Sequence, residues 1–210
     1  MNVNPFPSLY EEFIFRSRYA RWREEDGRRE TWYETVSRLI SYYSKRVQLD
    51  TLTQEELFKA IYLLEVLPSM RSLMTAGPAL DKNDVCSYNC AYLPVDSPRS
   101  FDEAMLILLN GTGVGYSVES KYIDQLPRIS EQFEPTDTII TVADSKEGWA
   151  KSFRELVSLL IAGQLPRWDV SRVRNKGARL RTFGGRASGP EPLVDLFEFA
   201  CSLFKGAAGR

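Results

Sequence analysis

The 210-residue sequence contains no histidine and only three cysteines. Without histidine, the chain by itself cannot form a Ser-His-Asp or Cys-His nucleophile, a zinc site with histidine ligands or a histidine general base. Three cysteines are too few for the disulfide framework of a small secreted domain. Thiols, carboxylates, lysines and tyrosines are left as the reactive groups, and we expect no metal site.

Long apolar runs and net charge are also missing. No apolar segment reaches the about 18 residues of a membrane-spanning helix, and the N-terminus lacks the charged-then-apolar order of a signal peptide. The formal net charge of −1 gives no long-range attraction to nucleic acids or anionic membranes. We therefore expect a cytoplasmic globular protein with no nucleic-acid and no membrane partner.

Residues 1–67 are predicted to form a helical N-terminal region. A first helix runs from Ser8 toward Glu25, where Asp26-Gly27 ends it, and a second runs from about Thr31 to Arg46. The capping box Thr53-Gln54-Glu55-Glu56 opens a third helix, which continues to about Val66. We treat this region as the first domain.

From Pro68 onward the sequence alternates between short strands, glycine loops and helices, which indicates an α/β fold over residues 68–210. Two further capping boxes, Ser100-Phe101-Asp102-Glu103 and Ser188-Gly189-Pro190-Glu191, are predicted to open helices. The predicted strands are Met70 to Thr75, Val85 to Val95, Tyr116 to Glu119 and Thr138 to Ala143, and the predicted helices cover 101–110, about 146–162, and 191–204.

The strand predicted over Val85 to Val95 is the centre of this arrangement, because it carries two of the three cysteines. Alternation places Cys86 and Cys90 on one face, with Tyr88 and Tyr92. Four residues of strand separate the two thiols by about 13 Å, whereas a disulfide needs Cα atoms within about 7 Å. We therefore expect that these two cysteines do not bridge each other.

Two segments have more than one interpretation. The loop Gly111-Thr112-Gly113-Val114-Gly115 lies between a helix and a strand, whereas dinucleotide and P-loop motifs lie between a strand and a helix. Its glycines indicate either tight packing or a ligand that approaches bare backbone. Residues 164–190 are rich in arginine, and they form either a solvated basic loop or a phosphate-binding surface.

Seven short stretches in order along the chain resemble the adenosylcobalamin-dependent (class II) ribonucleotide reductases, especially the ribonucleoside-triphosphate reductase type. Singly each stretch is weak, but together they extend over nearly the whole chain. They are Asp26-Gly27-Arg28 with Trp32 and Glu34-Thr35-Val36; Pro68-Ser69-Met70-Arg71-Ser72-Leu73; Tyr88-Asn89-Cys90; Gly113-Val114-Gly115-Tyr116-Ser117-Val118; Asp144-Ser145-Lys146-Glu147-Gly148-Trp149; Phe183-Gly184-Gly185 through Ser188-Gly189-Pro190; and Ala208-Gly209-Arg210.

The resemblance implies a fold and a set of site residues. The helical N-terminal region is followed, over residues 68–210, by the first half of a ten-stranded α/β barrel. Cys90 matches the first redox cysteine of the family, while Cys86 and Cys201 are expected to be small buried residues. The other implied site residues are Ser69, Ser72 and Asn89 near the substrate ribose and phosphates, Thr112 and Gly113 near the ribose or base, and the effector loop Val142 to Glu147 with Asp144, Ser145 and Lys146.

The resemblance also implies a cofactor and partners. The cofactor is adenosylcobalamin, with most of its contacts outside this chain. The partners are a ribonucleotide substrate, a deoxynucleotide or ATP effector, a thioredoxin-like reductant, and either the C-terminal half of the reductase or a second copy of the chain.

Several parts of the family pattern are missing from this sequence. There is no Asn-Pro-Cys-Gly-Glu-like motif with the radical-forming cysteine, no second redox cysteine, and no long insertion between Tyr116 and Asp144. We therefore expect a part of a longer reductase that is inactive alone. The alternatives are a non-catalytic nucleotide-binding or regulatory module and a decayed fragment.

Overall fold

The computed structural model describes residues 4–180, 182 and 185–209. It consists of two compact units. Unit 1 covers the described residues up to Tyr88 together with residue 182, and unit 2 covers 89–180 and 185–209. The predicted domain division after residue 67 stays a prediction.

Unit 1 is mainly helical. Its helices are α1 (Leu9–Ile14), which continues as the π-helix Phe15–Tyr19, α2 (Trp32–Val47), α3 (Thr51–Tyr62), α4 (Met70–Thr75), α5 (Pro78–Lys82) and the 3₁₀ helix Asp84–Ser87. The short strands β1 (Trp22–Arg23) and β2 (Arg28–Arg29) pair antiparallel and form a hairpin before α2.

The stretch from Asp26 to Val36, which carries the first part of the family resemblance, has a structural role. Gly27 forms the hairpin turn with a φ of +60°, and Thr31 and Glu34 form the capping box that opens α2. The Arg28 guanidinium donates hydrogen bonds to Glu34 and holds the pKa of that carboxyl far below its ordinary value. Trp32 is buried, and its indole N–H donates to the Tyr62 carbonyl at 3.0 Å.

Four predictions for unit 1 are wrong in part or in full. The first helix ends at Tyr19 because the chain turns into the hairpin, and α3 is capped by Asp50, not by the box at Thr53. Met70 to Thr75 is the helix α4, not a strand. Residues 85–87 are not extended, because the Asn83 side chain accepts a hydrogen bond from the Val85 amide and starts the 3₁₀ helix Asp84–Ser87.

Unit 2 contains two strand-helix-strand repeats. In the first, β3 (Cys90–Pro94), α6 (Arg99–Leu109) and β4 (Gly113–Ser117) follow one another, and the two strands pair in parallel. After α7 (Ser120–Ile123), the second repeat consists of β5 (Glu134–Thr141), α8 (Lys146–Ile161) and β6 (Gln164–Asp169), again with parallel strands. The last helix is α9 (Glu191–Gly206).

The core of unit 2 lies around α8 and is mostly aliphatic. Ile140 from β5, Leu156 and Leu160 from α8, and Leu193 and Phe197 from α9 are almost fully buried. Each such side chain contributes roughly 1.5–3 kcal/mol relative to an exposed position. This packing holds the C-terminal half of α8 against β5 and α9.

The structure confirms α6, α8 and α9, but neither predicted capping box exists. The Ser100 hydroxyl donates to the Pro94 carbonyl, and the residues directly before α6 and α9 are Pro98 and Pro190, with no side-chain cap. Strand β6 was not predicted, since Pro166 and Arg167 lie in its middle and disfavour a strand. Strand β4 begins at Gly113, earlier than predicted.

The predicted α/β fold with a helical N-terminal region is confirmed, and its parallel strands are those of β3–β4 and β5–β6. Membership of a ten-stranded barrel stays a prediction. Within the described part of the chain, none of the helices combines the length and apolar character that crossing a membrane requires.

Candidate functional site

Cys90 is the first residue of β3 and its register partner is Gly113 of β4. Register partners in a parallel pair lie on the same face, so Cys90 and Tyr92 share a face with Gly113 and Gly115. All four residues are exposed. Helix α6 packs against both strands. The half-buried residues Ala91, Leu93 and Val114 alternate along the strands with the exposed residues and lie on the opposite face. The thiol therefore lies beside two residues that expose bare backbone.

These two glycines are not explained by packing inside unit 2. An added Cβ would meet the Asn89 carbonyl oxygen at 3.6 Å from Gly113 and the Ala91 carbonyl oxygen at 3.9 Å from Gly115, which are ordinary contacts. Neither glycine has a positive φ. Of the two interpretations of this loop, tight packing within the described residues is therefore not supported at these positions.

The residues flanking Cys90 and Gly113 are held by backbone hydrogen bonds. The Gly113 amide donates to the Asn89 carbonyl at 2.9 Å, which joins the start of β3 to the start of β4. Thr112 is buried, and its amide donates to the Ile107 carbonyl in the last turn of α6. Gly111 supplies the left-handed residue that ends α6, with a φ of +79°. Asn89, Cys90, Thr112 and Gly113 are thus brought together.

Ser69 and Ser72 form a separate group in unit 1. Ser69 is exposed directly before α4, and Ser72, three residues later, is half-buried in its first turn. The Tyr43 hydroxyl donates to the Ser72 Oγ at 3.1 Å. Ser69 is the non-helical residue before α4, with a ψ of 127°, and both serines lie at the N-terminal end of this helix.

The predicted effector loop opens α8. The Ser145 hydroxyl accepts the Gly148 amide at 2.9 Å and caps the helix, as expected. Gly148 lies so close to Ala143 that an added Cβ would be 2.6 Å from the Ala143 carbonyl oxygen. Asp144 accepts hydrogen bonds from the Arg174 guanidinium at 2.8 and 2.9 Å. The loop is therefore fixed by its own cap, one glycine and one ion pair.

One hydrogen bond joins the effector loop to the segment before Thr112. The Lys146 ammonium donates to the Asn110 Oδ1 at 3.3 Å, and the Asn110 amide donates to the Leu106 carbonyl at 2.8 Å. Asn110 is buried at the end of α6. Sequence reasoning missed this residue, because a single asparagine after a helix carries no signal of a long-range contact.

A buried ion pair connects the two helices that carry these loops. Asp102 of α6 accepts hydrogen bonds on Oδ2 from the Arg154 Nε and Nη2 of α8 at 2.9 and 2.5 Å. The hydrogen bond to Asp102 raises the pKa of the Arg154 guanidinium above its ordinary value. The other carboxylate oxygen of Asp102 is buried and has no hydrogen-bond partner among the residues that the structure describes.

The arginine-rich segment is partly used by the fold itself. Arg174 binds Asp144, and the Arg186 guanidinium donates to the Gly177 carbonyl at 3.0 Å. Arg181, with Phe183 and Gly184 of the family resemblance, lies outside the described residues, as does Arg210. Among the residues that are described, no three His, Cys, Asp or Glu side chains are grouped as metal ligands.

Two family models match the sequence. The ribonucleotide reductase alpha domain matches residues 1–78, and the insertion domain of B12-dependent ribonucleotide reductase matches residues 116–202. The second match includes the segment from Tyr116 to Asp144, which we predicted to lack a long insertion.

Curated relatives extend these matches. The adenosylcobalamin-dependent ribonucleoside-triphosphate reductase of Lactobacillus leichmannii is 26% identical over 266 residues, covering 93% of this chain and 36% of the relative. A putative enzyme of the same name from Mycobacterium phage D29 is 29% identical, covering 88% of this chain and 31% of the relative. The chain thus spans about a third of these relatives. An alignment of 266 residues is longer than the chain, so the Lactobacillus enzyme carries extra residues within the matched region.

The fold agrees with a solved structure. A crystal structure of a B12-dependent (class II) ribonucleotide reductase superposes with a TM-score of 0.76 at 23% identity, covering 94% of this chain and 37% of that one. This likeness supports the fold. The two family models and the relatives show that the chain is similar to adenosylcobalamin-dependent ribonucleotide reductases over most of its length, with residues 1–78 and 116–202 matched by family models.

Proposed function

We propose that this chain is part of an enzyme that reduces ribonucleotides to 2′-deoxyribonucleotides with adenosylcobalamin as cofactor, and that Cys90 is one of its two reducing thiols. The observation that best supports the role of Cys90 is its exposed position at the start of β3, beside the bare backbone of Gly113. A thiol that reduces a bound nucleotide must be reachable both by the nucleotide and by a second sulfur.

The chemistry requires two thiols and one proton donor close to the ribose. Once a radical has formed at C3′, the 2′-hydroxyl leaves as water after it takes a proton. Over the whole reaction the two thiols lose two electrons and two protons and become a disulfide: one proton leaves with the 2′-hydroxyl as water, and the other proton and the electron pair become the new hydrogen at C2′. Cys90 donates the proton and one sulfur, and the second thiol comes from another part of the enzyme. A thioredoxin-like protein then reduces the disulfide.

Adenosylcobalamin carries the corrin ring that binds its cobalt, so a cluster of protein metal ligands is not what would hold it. In line with the family resemblance, we assign most cofactor contacts to other parts of the enzyme, and we derive no step of this chain's chemistry through the cofactor.

The remaining site residues divide into a substrate group and an effector group. We assign Asn89 and Gly113 to the nucleotide next to Cys90, and Ser69 and Ser72 to its ribose and phosphates. Thr112 acts through its backbone, because its side chain is buried. For the effector, a deoxynucleotide or ATP, we assign the loop Asp144, Ser145 and Lys146, which already contains a helix cap and a cation.

The test is replacement of Cys90 in the assembled enzyme, obtained by co-expressing this chain with the rest of a class II reductase. Cys90→Ser should abolish multiple-turnover reduction and leave nucleotide binding intact, because only the sulfur is lost. Cys86→Ser and Cys201→Ala are the matched controls and should retain turnover. Loss of turnover in well-folded Cys86→Ser, with turnover kept in Cys90→Ser, would overturn the assignment.

The same preparation tests the partners. The chain alone should give no reduction, and it should associate with the rest of the enzyme or with itself, because exposed strand edges and apolar faces favour association. A chain that sediments as a stable monomer and binds nucleotides without such a partner would support a non-catalytic binding module instead.

A further inference from the structure

The C-terminal end of α4 is bound by two guanidinium groups that come from distant parts of unit 1. Arg38 donates to the Ala76 and Leu73 carbonyls, both at 2.9 Å, and Arg21 donates to the Met74 carbonyl at 2.8 Å. The last carbonyls of a helix have no partner within the helix, and a helix of six residues is not stable alone. The two arginines therefore satisfy the end of α4 and hold it in place.

A buried carboxylate completes the network. Glu30 is only 8% exposed, and it accepts both Arg38 Nε and Nη2 at 2.8 Å, the Thr35 hydroxyl at 3.0 Å and the Arg21 amide at 3.3 Å. The two guanidinium groups, of Arg21 and Arg38, thus face one carboxylate and the negative end of the α4 dipole. The dipole offsets part of the positive charge that the single carboxylate leaves unbalanced. Burial and the neighbouring Arg38 lower the pKa of Arg21 to about 10, so the Arg21 guanidinium stays charged at neutral pH.

The same helix that carries Arg38 also binds the other side of α4. Tyr43 lies on α2, and its hydroxyl donates to the Ser72 Oγ. Arg38 therefore fixes the carbonyl end of α4, while Tyr43 fixes the serine side. The planar guanidinium makes its bonds in one fixed geometry, which sets the rotation of α4 about its own axis.

We propose that Arg21, Glu30 and Arg38 are positioning residues for the nucleotide, because they orient α4 so that Ser69 and Ser72 face the substrate. This inference rests on the proposed function, which assigns these two serines to the ribose and phosphates. It gives the N-terminal helical region a defined role, since the hairpin supplies Arg21 and Glu30 and α2 supplies Arg38.

The decisive variant is Arg38→Lys, which keeps the charge but loses the planar fork. Arg46→Lys is the matched control, because Arg46 lies on the same helix and its contacts are exposed ion pairs with Asp81 and Asp84 and the face of the Tyr42 ring. Two quantities are measured on the enzyme assembled by co-expressing this chain with the rest of a class II reductase: amide exchange of α4 and affinity for a ribonucleoside triphosphate. Ser69→Ala and Ser72→Ala are measured in parallel, to test the substrate assignment on its own.

We expect Arg38→Lys to increase the exchange rate of the α4 amides about tenfold and to raise the dissociation constant of the nucleotide about tenfold. Each change is equivalent to the loss of one hydrogen bond to a charged group. The amides of α3 and the control variant should not change. If Arg38→Lys does not fold, Thr35→Val removes only one donor to Glu30 and should give a smaller effect in the same direction.

Two results would overturn the inference, and they differ from a failure of the proposed function. Unchanged α4 exchange in folded Arg38→Lys would show that the arginine does not hold the helix. Faster exchange with unchanged affinity, while the serine variants bind weakly, would show that the orientation of α4 does not matter for binding. If the serine variants bind as tightly as the parent chain, or the parent does not bind, the substrate assignment itself is wrong, and this inference falls with it.

Discussion

Each unit of the molecule buries one carboxylate against an arginine, but the two ion pairs differ in how completely they are satisfied. In unit 1, both oxygens of Glu30 accept hydrogen bonds, and the Arg38 side chain is 18% exposed. In unit 2, one oxygen of Asp102 has no hydrogen-bond partner within the described part of the chain, and the Arg154 side chain is 44% exposed. Both oxygens of Glu30 are therefore satisfied, whereas Asp102 pairs with a group that can turn to water. Within the network of Glu30, the Arg21 Nη2 is buried without a hydrogen-bond partner among the described residues.

The difference follows from what each ion pair holds. Arg38 and Glu30 support α4, whose last carbonyls depend on side chains, so charge is needed to complete the backbone hydrogen bonds of unit 1. Asp102 and Arg154 join two long helices that satisfy their own backbones and pack on an aliphatic core. A buried ion pair thus stabilises strongly where irregular backbone depends on it, and weakly where packing already suffices.

Neutralising Glu30 and Asp102 in turn should give the largest difference between the two ion pairs in their contribution to the free energy of unfolding. Glu30→Gln leaves Arg38 buried without its counter-charge, so we expect unit 1 to lose about 3–5 kcal/mol. Asp102→Asn leaves Arg154 free to reach solvent, so the loss in unit 2 should be about 1 kcal/mol. Amide exchange in denaturant, followed separately in α2 and α8, measures both. Equal losses would contradict the comparison.

A steric change in unit 2 should have the next largest effect. Gly148→Ala places a Cβ 2.6 Å from the Ala143 carbonyl oxygen, so the start of α8 must shift, and we expect a loss of about 1–3 kcal/mol. Gly115→Ala in the same unit is the matched control, because its Cβ meets nothing closer than 3.9 Å. Chemical denaturation compares them, and similar midpoints would show that α8 does not need the close approach.

Acid should destabilise unit 1 before unit 2. Burial raises the pKa of Glu30, but the hydrogen bonds and the charge of Arg38 lower it further, so that it lies below the ordinary 4.5. The pKa of Glu34 is also lowered, chiefly by its hydrogen bond from Arg28. A lowered pKa contributes stability that is complete above the ordinary value and is lost as the pH falls through the folded-state value.

The measurement is amide exchange of the two units at a series of pH values below 4.5, corrected for the intrinsic pH dependence of exchange. Protection of α2 should fall before protection of α8, and Glu34→Gln should flatten the dependence in unit 1. Earlier loss of α8 would contradict this order.

The smallest expected effect is a difference in the rates at which the three cysteines react with a thiol reagent. Cys90 is exposed, Cys201 is half-buried with a pKa raised by burial, and Cys86 is fully buried in unit 1. We expect labelling in the order Cys90, Cys201, Cys86, with Cys86 reacting only when unit 1 opens. Mass spectrometry of the labelled peptides measures the order, and early labelling of Cys86 would show that unit 1 opens readily.

Local signals in the sequence predicted the helices that carry their own caps. Helix α2 begins at the Thr31 and Glu34 box and α8 begins at Ser145, and both were predicted to within one or two residues. Helix α4 was predicted as a strand because its end is satisfied by Arg38, whose bonds cross 35 and 38 residues of sequence. The strand-helix-strand order was predicted, but the second strand was predicted to begin at Tyr116, so the register that pairs Cys90 with Gly113 was not predicted. The link from Lys146 to Asn110 has no local signature.

The open space at Gly113 and Gly115 has a consequence for mutational tolerance. A library selected only for folding should accept alanine at both positions, since an added Cβ makes ordinary contacts there, and should reject it at Gly148. A second selection, for deoxyribonucleotide supply, can then be applied to the same library. If it removes alanine from positions 113 and 115, the space above these two glycines is occupied by another molecule and not by the chain itself.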